Sequence, residues 1–99
     1  MTKQVQDDKA FWFCNNSGCV GKVAHNLQEF SQSLKEVSVD SIEFHLRDSC
    51  NDFESWLVNI MEEPRLAEEV KRIKSKNLKG EALKSSMNKF ANKMSRKLA

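Results

Sequence analysis

The chain has 99 residues, 39% of them hydrophobic and 30% charged, with three cysteines, a single proline and a formal net charge of +2. That length suits one domain with its own core, and no apolar run approaches the roughly 18 to 20 residues of a membrane span, so neither two compact domains nor a spanning protein is expected. The start, MTKQVQDD, is polar and acidic where a secretory signal would be basic and then apolar, and Cys14, Cys19 and Cys50 are an odd set that argues against a disulfide framework; a cytoplasmic protein is expected. Residues 1–9 carry no apolar period and read as a flexible arm. Next, Ala10-Phe11-Trp12-Phe13-Cys14 has strand length and composition, and Asn15-Asn16-Ser17-Gly18 tolerates a turn. Cys19 to Ala24 can return as a second short strand, giving a β-hairpin that must lie against helices because a lone hairpin is marginal in water.

From Leu27 the period becomes helical. Leu27, Phe30, Leu34 and Val37 form one stripe, with Asn26 placed as N-cap. A short segment with Ile42, Phe44, His45 and Leu46 reads as one or two helical turns. Phe53, Trp56, Leu57, Ile60 and Met61 give the clearest amphipathic pattern, capped by Asn51 or Asp52, and this helix is expected to hold the core. Pro64 suits the first turn of the next helix, whose stripe is Leu66, Val70 and Ile73. Past a break at Gly80, Leu83, Met87, Phe90, Met94 and Leu98 mark a last amphipathic helix with a basic polar surface. The expected fold is mostly α, a short N-terminal β-hairpin packed on about four helices. Its expected units are the arm over 1–9, a hairpin-plus-helices domain over 10–77 and the basic helix over 78–99.

Charge is divided unevenly. Up to Pro64 there are 5 Lys/Arg against 11 Asp/Glu, a net of −6; from Arg65 there are 11 Lys/Arg against 3 Asp/Glu, a net of +8. Two explanations compete: an acidic and a basic face paired inside the molecule or across a dimer, or an external anionic partner such as nucleic acid.

Several blocks are similar to a known family. Phe11-Trp12-Phe13-Cys14, Asn26-Leu27-Gln28-Glu29-Phe30, the Phe44-His45 pair and Asn51-Asp52-Phe53-Glu54-Ser55-Trp56-Leu57 resemble an uncharacterised prokaryotic, mainly archaeal, domain family with an aromatic strand ending in Cys and an N-D-F-x-x-W motif. The resemblance covers roughly residues 10–75, and N-D-F-x-x-W is its specific part. The turn from Asn15 to Gly21 is longer here and adds Cys19, so no role for Cys19 follows from the family. The resemblance implies a fold unit and no chemistry.

Cys14, Cys19, His45 and Cys50 have the residue types of a zinc site, with His25 as a substitute ligand, but the four-residue spacing is looser than the Cys-x2-Cys of common knuckles. A small buried thiol at a strand end and a loop thiol explain Cys14 and Cys50 as well, so no metal or other cofactor is expected. His45 with Asp52 could be a general base and its orienter beside a cysteine nucleophile; the ordinary alternative is a core histidine held by a carboxylate. The three glycines show no phosphate-cradling order, and an enzyme with a small-molecule substrate is not expected. Trp12 and Trp56, with Phe11, Phe13, Phe30, Phe44 and Phe53, could form a surface platform for stacking bases or gripping a peptide, but in a domain this small they are expected in the core. The function expected is a protein-interaction or assembly module, self-associating through Leu83, Met87, Phe90 and Met94. The alternatives are sequence-independent nucleic-acid binding and a structural zinc protein. The basic partner surface would comprise Lys71, Arg72, Lys74, Lys84, Lys89, Lys93, Arg96 and Lys97.

Overall fold

The computed structural model describes the backbone of residues 3–98 and the side chains of residues 3–96. A short 3-10 turn, Asp7–Lys9, leads into an antiparallel hairpin of β1 (Phe11–Asn15) and β2 (Gly18–Ala24). Five helices follow: α1 (Leu27–Glu36), α2 (Val39–His45), α3 (Asp52–Asn59), α4 (Pro64–Ser75) and α5 (Gly80–Leu98). A mostly helical fold carrying one N-terminal hairpin is therefore what the chain adopts, with α2 as the seven-residue element read as one or two turns.

Local chemistry sets the element ends. The side chain of Asn26 accepts from the Glu29 N–H and caps α1, and the side chain of Asn51, rather than Asp52, accepts from the Glu54 N–H and caps α3. Pro64 opens α4, where its missing N–H leaves no helical bond unmade. Glu62, Asp48 and Asn77 take left-handed φ values of 58, 50 and 55° in the loops, two of the three being the Asp/Asn types that bear this conformation best.

The hairpin differs from the expected long turn. Its loop is Asn16-Ser17, since Asn15 pairs with Gly18 and Cys14 with Cys19; the extra length is a bulge, Val20 and Gly21, inserted where the register shifts next to the Phe13–Lys22 pair. Gly21 sits at φ +84°, a conformation that favours glycine.

Phe11 and Phe13 point inward from β1 and meet Phe30 of α1, His45 of α2 and Phe53 of α3, while Trp56 packs on Phe11 and Phe30; ring centroids lie between 4.8 and 6.2 Å. The other half of the core is α5 laid on α1. Leu83, Met87, Phe90, Ala91 and Met94 are all at most 5% exposed and join the same cluster as the aromatic residues. Ser31 of α1 and Ser95 of α5 share a 2.9 Å hydrogen bond, and the Lys84 ammonium donates to the carbonyls of Leu34, Lys35 and Val37 at the C-terminus of α1. The apolar side chains of residues 78–96 complete the same core as the hairpin and the other helices, and the Cα radius of gyration, 12.3 Å, matches the ~13 Å of a single 100-residue domain.

Residues 3–9, read as part of a flexible arm, are docked as well. Val5 is buried and its N–H donates to the His25 carbonyl at 2.8 Å. The indole N–H of buried Trp56 donates to the Lys9 carbonyl at 2.8 Å, which supplies the acceptor that a buried tryptophan needs.

Candidate functional site

The polar side chains that could do chemistry gather where β1 meets α2. Cys14 and Cys19 occupy a non-hydrogen-bonded pair of the hairpin, two positions from its loop, so the Cys14 N–H and C=O face away from β2. Left alone, this would be an unpaired strand edge. Instead the Cys14 N–H donates to His45 Nε2 at 3.0 Å, and the Cys14 carbonyl accepts from Ser41 Oγ at 2.9 Å. Ser41 and His45 stand one helical turn apart on α2 and so reach the same strand residue.

His45 Nδ1 lies 2.8 Å from Asp52 Oδ2. With Nε2 accepting from a backbone N–H, the proton of the neutral ring belongs on Nδ1, donated to the carboxylate. Burial depresses the His45 pKa below its ordinary 6.5, with Asp52 acting in the opposite direction. The arrangement orients an imidazole, but the Nε2 lone pair that a general base would use is committed to the β1 backbone. His45 is the core histidine held by a carboxylate.

The cysteines are not gathered into a metal set. Cys14 Sγ and Cys19 Sγ are 3.0 Å apart, yet among the described residues no three His, Cys, Asp or Glu side chains converge as a metal ion requires. Cys14 also donates from its thiol to the Trp12 carbonyl at 3.5 Å. Desolvation first, and then the neighbouring Cys19 thiol, push the Cys14 pKa up to about 11. His25, the substitute ligand, is engaged by Asp7 Oδ1 at 2.6 Å and Glu29 Oε1 at 3.0 Å.

The basic residues divide into two sets. Lys84 caps α1, Lys74 donates to the Cys50 carbonyl in the α2–α3 loop, and Lys93 pairs with Glu69. Lys71, Arg72, Lys89 and Arg96 are exposed and make no ion pair among the described residues; Lys97 lies outside the described side chains. None of the ion pairs among the described residues joins an acid before Pro64 to a cation after it. Among the described residues, direct ion pairing between the two halves therefore does not account for the charge asymmetry. The stripe expected to self-associate faces inward in this chain: Leu83, Met87, Phe90 and Met94 are 4, 0, 5 and 1% exposed because α1 and the core cover them.

Two features had weaker signals in sequence. Ser41 could have been linked to His45 by its i, i+4 spacing, but its target is a carbonyl, which no side-chain pattern encodes. Trp12 is 48% exposed, and strand alternation does place it on the face opposite Phe11 and Phe13. Its indole N–H is tied to the Asp7 carbonyl at 3.1 Å, which orients the ring. Beside the hairpin loop, an open cleft of about 820 Å³ runs between Asn16, Glu43, Phe44, Arg47, Lys74 and Lys79, with the Arg47 guanidinium 4.1 Å over the Phe44 ring. No helix among the described residues is long and apolar enough to cross a membrane.

No curated protein and no solved structure matches the chain. One family model does, and it runs well past the aromatic strand and the N-D-F-x-x-W block into α5: the chain belongs to a family of unknown function, DUF5752, whose model matches residues 1–92.

Proposed function

We propose that this chain is a protein-interaction module whose docking surface is the outer face of the hairpin, centred on Trp12. The observation that carries the reading is the contrast between the two tryptophans: Trp56 is 6% exposed in the core, whereas Trp12 is 48% exposed and held in place by its bond to Asp7. A large aromatic that is already oriented loses little freedom on binding, which is why tryptophan is enriched among residues that dominate interfaces. Val20 on the paired strand is also exposed, at 37%, and adds apolar surface to the hairpin. Affinity capture from extracts of the source organism, with wild type and Trp12→Ser side by side, tests this. The reading requires a protein retained by wild type, lost with Trp12→Ser and kept by charge reversal at Lys89 and Arg96. Retention that ignores Trp12 overturns it.

A second reading, an anionic polymer bound along α4 and α5, is favoured by the exposed cations Lys71, Arg72, Lys89 and Arg96, which no acid of the first half neutralises. Duplex DNA of any sequence should then bind at low salt, and affinity should fall steeply between roughly 50 and 200 mM. Reversal of those four charges should abolish binding. Lys84 is unsuitable for that test because it caps α1.

A further inference from the structure

Cys14 and Cys19 stand directly opposite each other in a two-stranded sheet, in the kind of pair whose Cα atoms approach to about 4.5 Å. That separation lies inside the roughly 4.4 to 6.8 Å that a disulfide spans. Their sulfurs are already 3.0 Å apart. We infer that Cys14 and Cys19 are a reversible dithiol–disulfide couple, a modification site at the hairpin tip that a low-molecular-weight disulfide such as oxidised glutathione can oxidise. The inference does not depend on Trp12 being a docking residue.

The surroundings assign different roles to the two thiols. Cys19 is exposed, so a solvent-borne disulfide reaches it first; Cys14 is half-buried, and its backbone is pinned on both sides by His45 and Ser41. Desolvation keeps the Cys14 thiol protonated to about pH 11, which makes it a poor first attacker. In the first step the Cys19 thiolate attacks one sulfur of glutathione disulfide, forming a Cys19–glutathione mixed disulfide and releasing one glutathione thiolate. In the second, Cys14 gives its proton to solvent and attacks Cys19 Sγ, displacing the second glutathione thiolate and closing the Cys14–Cys19 bond. The protein loses two electrons and two protons, and the oxidant becomes two glutathione thiols. Because the bulge at Val20 and Gly21 lies immediately after Cys19, β2 rather than the pinned β1 can adjust as the sulfurs close by about 1 Å.

The experiment equilibrates the full, folded chain in mixtures of reduced and oxidised glutathione, traps free thiols by alkylation and reads intact and peptide masses. Free thiols should fall from three to one in wild type, with the bond mapped to Cys14–Cys19 and Cys50 alkylated throughout. Cys50→Ser should form the same bond. Cys19→Ser, at an exposed position and therefore expected to fold, should form none. The same equilibrium measured in urea supplies the control for geometry: the native pair should need at least about tenfold less oxidised glutathione than the unfolded pair, since the fold holds the thiols together. Three free thiols persisting under oxidising conditions, a bond that uses Cys50, or a native pair no easier to oxidise than the unfolded one would each overturn the inference.

Discussion

The hairpin and α5 are attached to the same core by different means. The hairpin is stitched by side chains that reach backbone: His45 and Ser41 to Cys14, and the Trp56 indole to Lys9 just before β1. By contrast α5 is held mainly by an apolar stripe on α1, with Lys84, Ser95 and the Gly80 N–H, which donates to Glu43 Oε2, as its polar ties. The difference follows from secondary structure. A two-stranded sheet has edges whose N–H and C=O groups need partners, whereas a helix presents such groups only at its ends. Polar, titratable and thiol groups consequently collect at the hairpin, and the redox and acid–base responses of the domain should arise there, while bulk stability comes from α5.

Deleting residues 80–99 is the severest test of that contrast. It removes Leu83, Met87, Phe90 and Met94, each buried on a scale where truncation costs about 2 to 5 kcal/mol, against a typical total stability of about 5 to 15 kcal/mol. Residues 1–79 should show no cooperative thermal transition by circular dichroism; a sharp transition would make α5 an accessory. At the hairpin, His45→Ala should cost about 2 to 4 kcal/mol in urea unfolding, combining a cavity with an unpaired Cys14 N–H. Lys84→Met, which leaves the end of α1 without its cap but keeps the alkyl chain, should cost less, about 1 to 3 kcal/mol. If Lys84→Met proved the costlier of the two, the polar ties of α5 would outrank those of the hairpin.

Acidity offers a gentler probe. The His45 pKa is depressed by burial, so the unfolded chain takes up a proton first as pH falls below about 6.5, and stability declines from there until the folded imidazole also titrates. His25 acts in the opposite sense: its hydrogen bond to Asp7, then that to Glu29, raises its pKa, so its contribution is complete below the unfolded value and lost as pH rises through the raised one. In His25→Gln only the His45 effect remains, and the midpoint of thermal unfolding should drop steadily from about pH 7 to pH 5.5 by more than in wild type. Carboxylates such as Glu29 and Glu36, whose pKa values are lowered from 4.5, give up their stabilisation only at lower pH. The smallest effect should be that of Trp12→Ser on stability, within about 0.5 kcal/mol for a largely exposed side chain outside the aromatic core. A larger loss would mean that Trp12 holds the arm, through Asp7, more than it presents a surface.

Helices were legible because their information is local. The stripes of Leu27, Phe30 and Leu34, of Phe53, Trp56 and Leu57, and of Leu83, Met87, Phe90 and Met94 are all buried as their spacing requires, and Asn26, Asn51 and Pro64 open helices as their chemistry dictates. What covers a stripe is not local. The α5 stripe reads the same whether it meets α1 or a second chain, and only the closed core showed that it meets α1. The hairpin was visible as two short strands, but Cys14-x4-Cys19 looked like a loose ligand spacing until the register made it a cross-strand pair, because a two-residue loop with a bulge and a longer loop without one use the same residues.

By itself, then, the sequence determined a mostly helical chain of about four helices and an aromatic hairpin, together with the sign reversal of charge at Pro64, since periodicity and composition are properties of neighbouring residues; that Val39–His45 is a fifth helix came from the structure. Only the tertiary structure decided that Cys14 meets His45 31 residues away and Ser41 27 away, that Lys84 closes the end of α1, and that Trp12 alone of the two tryptophans stays in solvent. Those outcomes depend on which unpaired backbone groups and apolar faces are brought together when the chain packs, and no single segment carries that information.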